Sequence, residues 1–424
     1  MATFASPSET QELVEVTSYA EVAEALRESN ALAVDVDALS MPIRGGTVLR
    51  IDGDAHRKRR RVLNRLVFRG GHEHFRESVL GPTVARDLRE ILDGPDADGA
   101  ARADLVAFAT RALTELVAAM IGLEPARSRE AAEELFRLQA DLDEFPRFKT
   151  QLRGAAPLSL GDEDRLARAH ARLANGKREF VERFFGPALA ERRRLFARYE
   201  AGEIREADLP NDFLTIVASH ADPSFDADPD LPVREAIIDL LHAGTGTSVG
   251  AIVHTVDELE RWLAGHPEDR ERRTDPGFLV GAVNEVLRLH AANPAEIRRA
   301  VEDVTLSGGT VIPKGRFAAL RIGLANRDTS VFGADADRFD PHRIVPAGLY
   351  PYGLAFGSGP HMCYGLPLAH GNDGVDGNLV YVTKALYEAG MRPDPAHAPT
   401  FHPGIAHADL RGFESYPIAF ARTG

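Results

Sequence analysis

The stretch that most restricts this chain is Ala355-Phe356-Gly357-Ser358-Gly359-Pro360-His361-Met362-Cys363-Tyr364-Gly365, which holds the single cysteine of 424 residues. A lone cysteine is most often a small buried hydrophobe without chemistry. A core position, however, has no use for Gly357, Gly359 and Gly365 around it. Glycine lets a backbone take positive φ or approach a flat ligand closely. A thiolate whose neighbouring amide N–H groups point at its sulfur is a stabilised anionic metal ligand. The loop therefore reads as a cradle for a metal-bearing group, with an inert core cysteine as the bland alternative.

Bulk properties narrow the setting. Hydrophobic residues make up 44% of the chain, enough for a large core without disulfides. One cysteine excludes an internal disulfide and fits a reducing compartment. No run of about 18 apolar residues is evident, so no membrane span is expected. Met1 to Glu12 lacks the apolar core of a signal sequence, and a cytoplasmic protein is expected. Residues 1–15 are expected to lack order. The net charge of −14 argues against nucleic acid as a partner. Against it stands the basic run Arg57-Lys58-Arg59-Arg60-Arg61.

Helical spacing dominates the first half of the chain. Helices are expected over Tyr19 to Ser29, Ala55 to Phe68 with Asp54 as N-cap, and Leu105 to Ile121 between Asp104 and Gly122. Ser40 to Ile51 reads as extended, with a turn at Gly45-Gly46. Further helices are expected over Ser128 to Leu142, Asp162 to Tyr199 with a break at Gly186-Pro187, and Asn211 to His220. In the helix from Ala55, His56, Arg60 and Leu63 share one face. Arg57, Arg61, Arg65 and Arg69 form a separate stripe at i, i+4 spacing. A solvated basic helix is the alternative.

Pro232 opens the longest candidate helix, running to Gly265. Within it Ala243-Gly244-Thr245-Gly246-Thr247-Ser248 places two glycines, each costing roughly 1 kcal/mol relative to alanine. A local widening beside a ligand justifies that cost; a break between two ordinary helices is the alternative. Pro276-Gly277 reads as a turn before a helix over Phe278 to Leu289, where Glu285 and Arg288 share a face. Such a pair alone is most often a surface ion pair worth under about 1 kcal/mol. Val304 to Leu320 alternates and is the one convincing strand-rich region. Beyond Leu366 to Ala369, the run Gly371-Asn372-Asp373-Gly374-Val375-Asp376-Gly377 interrupts a helical pattern that resumes at Asn378.

Several separated motifs now share one explanation. Phe356 to Gly365 reads Phe-Gly-x-Gly-x-His-x-Cys-x-Gly and resembles the cysteine-ligand loop of the cytochrome P-450 family. Ala243, Gly244 and Thr247 resemble its oxygen-binding groove. Glu285 and Arg288 resemble its Glu-x-x-Arg helix, followed by Arg298 in a propionate-binding strand and Arg343 in Phe339-Asp340-Pro341-His342-Arg343. The resemblance implies a mainly α fold with a small β region, one domain over residues 1–424, and a long kinked central helix over the haem. His56 comes early, which implies a shorter amino-terminal part than usual. The implied cofactor is heme b, with Cys363 as iron ligand and Phe356, His361 and Gly365 around the ring. His56, Arg60, Arg298 and His361 are implied propionate donors, and Glu285, Arg288 and Arg343 a structural ionic cluster.

The implied activity is a haem-thiolate monooxygenase acting on a small, mostly hydrophobic substrate, in secondary metabolism or catabolism. Electrons are expected from a ferredoxin or flavoprotein docking near Arg57, Arg61 and Arg65. One position departs from the pattern. The family carries Asp or Glu before the groove threonine, and here that position is Gly246. A peroxide-using or non-oxygenating enzyme thus stays open, as does a haem-binding sensor. Substrate-facing segments are expected at Leu39 to Leu49, Asp141 to Pro157, Leu240 to Thr247, Asn293 to Ile297 and near Phe413.

Overall fold

Proline at a first helical turn lacks an N–H that would be unpaired there anyway, and from Leu231 the chain stays helical for 35 residues, to Gly265. In the computed structural model, which describes residues 13–28, 30–34, 45–68, 70–94, 100–123, 130–139, 142, 160–372, 375–401 and 412–420, this is the longest apolar helix. It is long and apolar enough to cross a membrane, contrary to the sequence expectation. Its most apolar window is 61% buried inside the protein, which makes it a core helix.

The helix does widen, but not where the glycines stand. Glu235–His242 is π-helical, and Ala243–Gly265 is regular α-helix. Gly244 answers to packing instead: a Cβ there would lie 3.1 Å from Val117 Cγ2. The wide turn sits where tertiary bonds seize Glu235, whose carboxylate accepts the Val48 N–H at 2.9 Å and pairs with Arg59. A second π turn, Val181–Phe185, replaces the break expected at Gly186-Pro187 and joins Leu160–Phe180 to Gly186–Glu200.

Other boundaries follow local chemistry. Leu105–Ile121 begins where Asp104 accepts the Ala107 N–H at 2.9 Å and stops at Gly122, with φ of 98°. The basic helix is Gly53–Leu63, starting two residues earlier than expected and ending sooner; Asp54 lies inside it, paired with Arg57. Val48–Arg50 is a 3-10 turn rather than extended chain, although Gly45-Gly46 does turn. Pro276 and Gly277 belong to the helix Pro276–Leu289, because Asp275 caps it by accepting the Phe278 N–H at 2.9 Å.

The residues gather into two compact units. The first takes its described residues from 37–80 and 110–246, and these are helical with no strand. The second comprises residues 10–36, 81–109 and 247–424 and carries every described strand. Its main sheet runs Val14–Val16, Phe317–Leu320, Glu296–Ala300, Leu32–Ala33, the first pair parallel and the others antiparallel. Val14 and Glu15 are thus ordered by pairing with Ala318 and Ala319, against the expectation for residues 1–15; their partners lie three hundred residues away in sequence. Val22, Leu26, Leu32, Leu320 and Ile322 pack together as the core of this unit.

The interruption after Cys363 is a small β-hairpin. Leu366–Ala369 is followed by Gly371–Asn372 pairing with Val375–Asp376, and then by Asn378–Glu388. Elsewhere in this unit, Gly281 lets the helix Pro276–Leu289 meet neighbouring backbone, since a Cβ there would lie 2.1 Å from the Pro341 carbonyl oxygen. Gly281→Ala should therefore cost about 1–3 kcal/mol by overpacking. Gly265→Ala, where nothing lies within 4 Å, should be neutral or stabilise by up to about 1 kcal/mol. Denaturant midpoints of the two variants provide the check.

Candidate functional site

The cysteine loop owes its shape to backbone that only glycine adopts readily. Gly357 and Gly359 have φ of 73° and 72°, in the left-handed region that costs other residues about 1–2 kcal/mol. A Cβ on Gly359 would also lie 2.8 Å from the Cα of Arg27, so the loop is seated against the helix Tyr19–Arg27. The Cys363 N–H donates to the Phe356 carbonyl at 2.8 Å and closes the loop. Tyr364 turns inward and is buried, while Cys363 is exposed. A Cβ at Gly365 would stand 3.6 Å from the sulfur, so glycine keeps one flank of the thiol clear. Phe356 meets Tyr352 edge-on with centroids 5.0 Å apart, and His370 packs on both.

Behind this loop lies an ionic cluster. Arg288 is fully buried and donates Nε and Nη2 to the two oxygens of Glu285, each at 2.7 Å. Its remaining donors reach the carbonyls of Asn326 (2.8 Å), Ala336 and Arg338 (3.2 Å). Arg343 donates Nε to Glu285 at 2.9 Å and Nη1 to Asp335 at 3.0 Å. Asn326 extends the cluster toward the cysteine. Its side chain donates to the Arg288 carbonyl at 3.0 Å and accepts the Leu354 N–H at 2.7 Å. Leu354 stands two residues before Phe356. Nothing local in the sequence marks the bridging role of Asn326.

Arg298 is buried on the strand Glu296–Ala300, whereas Arg299 is half-exposed, as alternation across a strand requires. Arg298 Nη1 donates to Glu296 at 3.2 Å and to the Ile297 carbonyl at 3.1 Å. His361 is half-buried on the 3-10 turn Gly359–His361.

On the central helix Thr247 is exposed and Ala243, Gly244 and Gly246 are half-buried. A Cβ at Gly246 meets nothing within 4 Å, so packing does not demand glycine there. Thr245 is buried, and its hydroxyl has no hydrogen-bond partner among the described residues. Of the expected substrate-facing segments, residues 39–44, 141 and 143–157 lie outside the described residues. Arg69 does as well.

In the first unit His56 is buried, Arg60 half-buried, and Arg57, Lys58, Arg61 and Arg65 exposed. Sequence reading overlooked Arg59. It is 3% exposed, pairs with Asp222 and Glu235, and lies 4.7 Å over the Phe225 ring. Burial pushes the Asp222 carboxyl up, but hydrogen bonds from Ser224 and Arg59 outweigh it and hold it below the usual range. Spacing could have found Arg59, which shares a helical face with Val62, Leu63 and Leu66.

The family profile for cytochrome P-450 matches residues 257–372. Cytochrome P-450 BJ-3 of Bradyrhizobium diazoefficiens is 28% identical over 400 residues, 91% of this chain and 80% of that one. The chain is thus similar to cytochromes P-450 along most of its length. Mycinamicin VIII C21 methyl hydroxylase of Micromonospora griseorubida is 38% identical over 138 residues, 32% of each chain. Among solved structures, cytochrome P-450 CYP109B1 of Bacillus subtilis superposes with a TM-score of 0.67 at 18% identity, covering 95% of this chain and 92% of that one. That likeness carries the fold.

Cytochromes P-450 hold heme b, and the second unit's donor set fits it. An exposed thiol on a glycine cradle suits the iron, and a buried guanidinium on the adjoining sheet suits a rim carboxylate. The cluster behind them should dominate stability. Arg288→Met leaves Glu285 with Arg343 as its one ion-pair partner and strands three carbonyls, a loss of about 3–5 kcal/mol. Arg343→Met, which leaves Arg288 in place, should cost less. Chemical denaturation of both variants tests the order.

Proposed function

We propose that this chain is a haem-thiolate monooxygenase that oxidises a small, mostly hydrophobic molecule with dioxygen and electrons from a separate redox protein. The observation that carries this reading is the exposed thiol of Cys363 on a loop closed by its own N–H and cleared on one flank by Gly365. Cys363 would hold the iron. Arg298 and His361 are the proposed propionate donors in the second unit; His56 and Arg60 are proposed for the same role. When bound, thiolate-ligated haem supplies an electron-rich centre that favours O–O cleavage. Thr247 would hold and pass a proton at Oγ1, as an exposed hydroxyl on the groove helix.

The exposed Arg57, Arg61 and Arg65 are the proposed landing point for an acidic ferredoxin or flavoprotein. Their charge stands out on a chain of net −14. A cytoplasmic location is part of the same proposal. A second reading, peroxide use, is favoured by one observation: Gly246 stands where the family has an acid, with open space beside it.

Two measurements test the reading. The reduced carbon monoxide complex should give a thiolate-type spectrum that Cys363→Ser abolishes; a histidine-type spectrum unchanged by that substitution would overturn it. Replacing Arg57, Arg61 and Arg65 with glutamate should raise the KM for ferredoxin about tenfold or more at low salt, with the difference shrinking as salt rises. Turnover with peroxide but not with ferredoxin favours the second reading.

A further inference from the structure

The groove helix lacks an acid beside Thr247, yet it carries acid and imidazole two turns further on. His254, Asp257 and Glu258 follow Thr247 along one stripe of the helix Ala243–Gly265. From Thr247 to His254 is a rise of about 10 Å. Gly250 stands between them, and a Cβ there meets nothing within 4 Å. Helical side chains lean toward the amino terminus, which carries His254 toward the open space over Gly250. The helix face thus has room for water between an exposed hydroxyl and a half-buried imidazole.

His254 is backed by a built array. Its ring stacks on His290, with centroids 4.2 Å apart and planes 10° apart, and meets Phe413 edge-on at 5.1 Å. His290 shares a hydrogen bond with Glu258, Nε2 to Oε1 at 2.8 Å. The other titratable neighbours are Asp257, Arg261 and Tyr416. Arg261 pairs with Asp257 at 2.8 Å, and the Tyr416 hydroxyl donates to Asp257 at 3.5 Å. Burial pushes Glu258 up, but the bond and charge of His290, with Arg261 and His254, outweigh it and hold the carboxyl low. Asp257 is pushed up by burial in spite of Arg261. One firm carboxylate therefore faces two stacked imidazoles. Glu258 thus engages His290 directly, and His254 meets the array through the ring stack.

We propose that His254, backed by His290 and Glu258, is the proton-positioning element that replaces the missing acid, acting through water over Gly250. This rests on the haem-thiolate reading above. One proton leaves the His254 N–H for a water over Gly250, and a proton of that water passes to Thr247 Oγ1, which releases its own hydrogen toward the groove. His254 recovers a proton from solvent, so one proton moves inward and no electron moves.

The test uses the holoenzyme without substrate, with a ferredoxin and its reductase as electron source. Oxygen taken up is then reduced by two electrons and two protons to peroxide, or by four of each to water. His254→Phe keeps the aromatic stack and should raise the ratio of peroxide to water about tenfold, within the range expected for loss of a proton donor. It should also change the solvent isotope effect on oxygen uptake. His254→Phe with Gly246→Asp should restore both. A second readout is independent of turnover: in the carbon monoxide complex, His254→Phe should move the pH midpoint of the His290 ring signals in the NMR spectrum. An unchanged ratio, isotope effect or His290 midpoint in a variant with an intact thiolate spectrum overturns the proposal, and so does failure of Gly246→Asp to restore the ratio. A wild type without the thiolate spectrum, or without oxygen uptake, defeats the haem-thiolate monooxygenase reading instead.

Discussion

The second unit depends on the pairing of Arg288 with Glu285. A guanidinium with no exposed surface forfeits its hydration, and neutralising its charge would not by itself replace the hydrogen bonds to water. Here Nε and Nη2 take the carboxylate, while Nη1 and the second N–H of Nη2 take backbone carbonyls from three separate positions. Those carbonyls belong to a stretch with little regular structure between Asn326 and Arg338. The arginine acts for that stretch as a ladder of hydrogen bonds acts for a sheet. Asn326 passes the constraint to Leu354 and so to the start of the cysteine loop. The position of the thiol therefore depends on an ion pair on another element.

The loop itself is shaped by a different force. Positive φ at Gly357 and Gly359, and contact of Gly359 with the Arg27 backbone, leave few conformations open once the Cys363 N–H reaches Phe356. The helix beyond is cut to Leu366–Ala369 by the hairpin. At Gly377 a Cβ would lie 2.3 Å from the Ala369 carbonyl, so the hairpin's exit lies close against its entry.

Much of the site was legible because its parts are local. The spacing of Phe356 to Gly365, the i, i+3 pair Glu285 and Arg288, and the glycines around Thr247 are all readable within a dozen residues. Arg59 escaped because a run of five basic residues looks solvated, and its partners Asp222 and Glu235 lie far along the chain. The widening of the central helix was anticipated from its glycines but lies at Glu235–His242. Propensity identified the weak turns; the bonds made by Glu235 accompany the turn that is actually wide. The His254–His290 stack had no sequence signal, since the two rings come from different helices.

By itself, then, the sequence determined the resemblance to cytochromes P-450, the thiol, the glycine positions and the order of helices, because these rest on short-range spacing and backbone sterics. It also determined that no acid stands beside Thr247. Only the tertiary structure decided which arginines are buried, where the central helix widens, that Val14–Val16 joins a sheet, and which groups lie along the open face beyond Gly250. The reason is physical: burial, ion pairing and strand pairing are settled by residues far apart in the chain, and a periodic pattern carries no record of its distant partner.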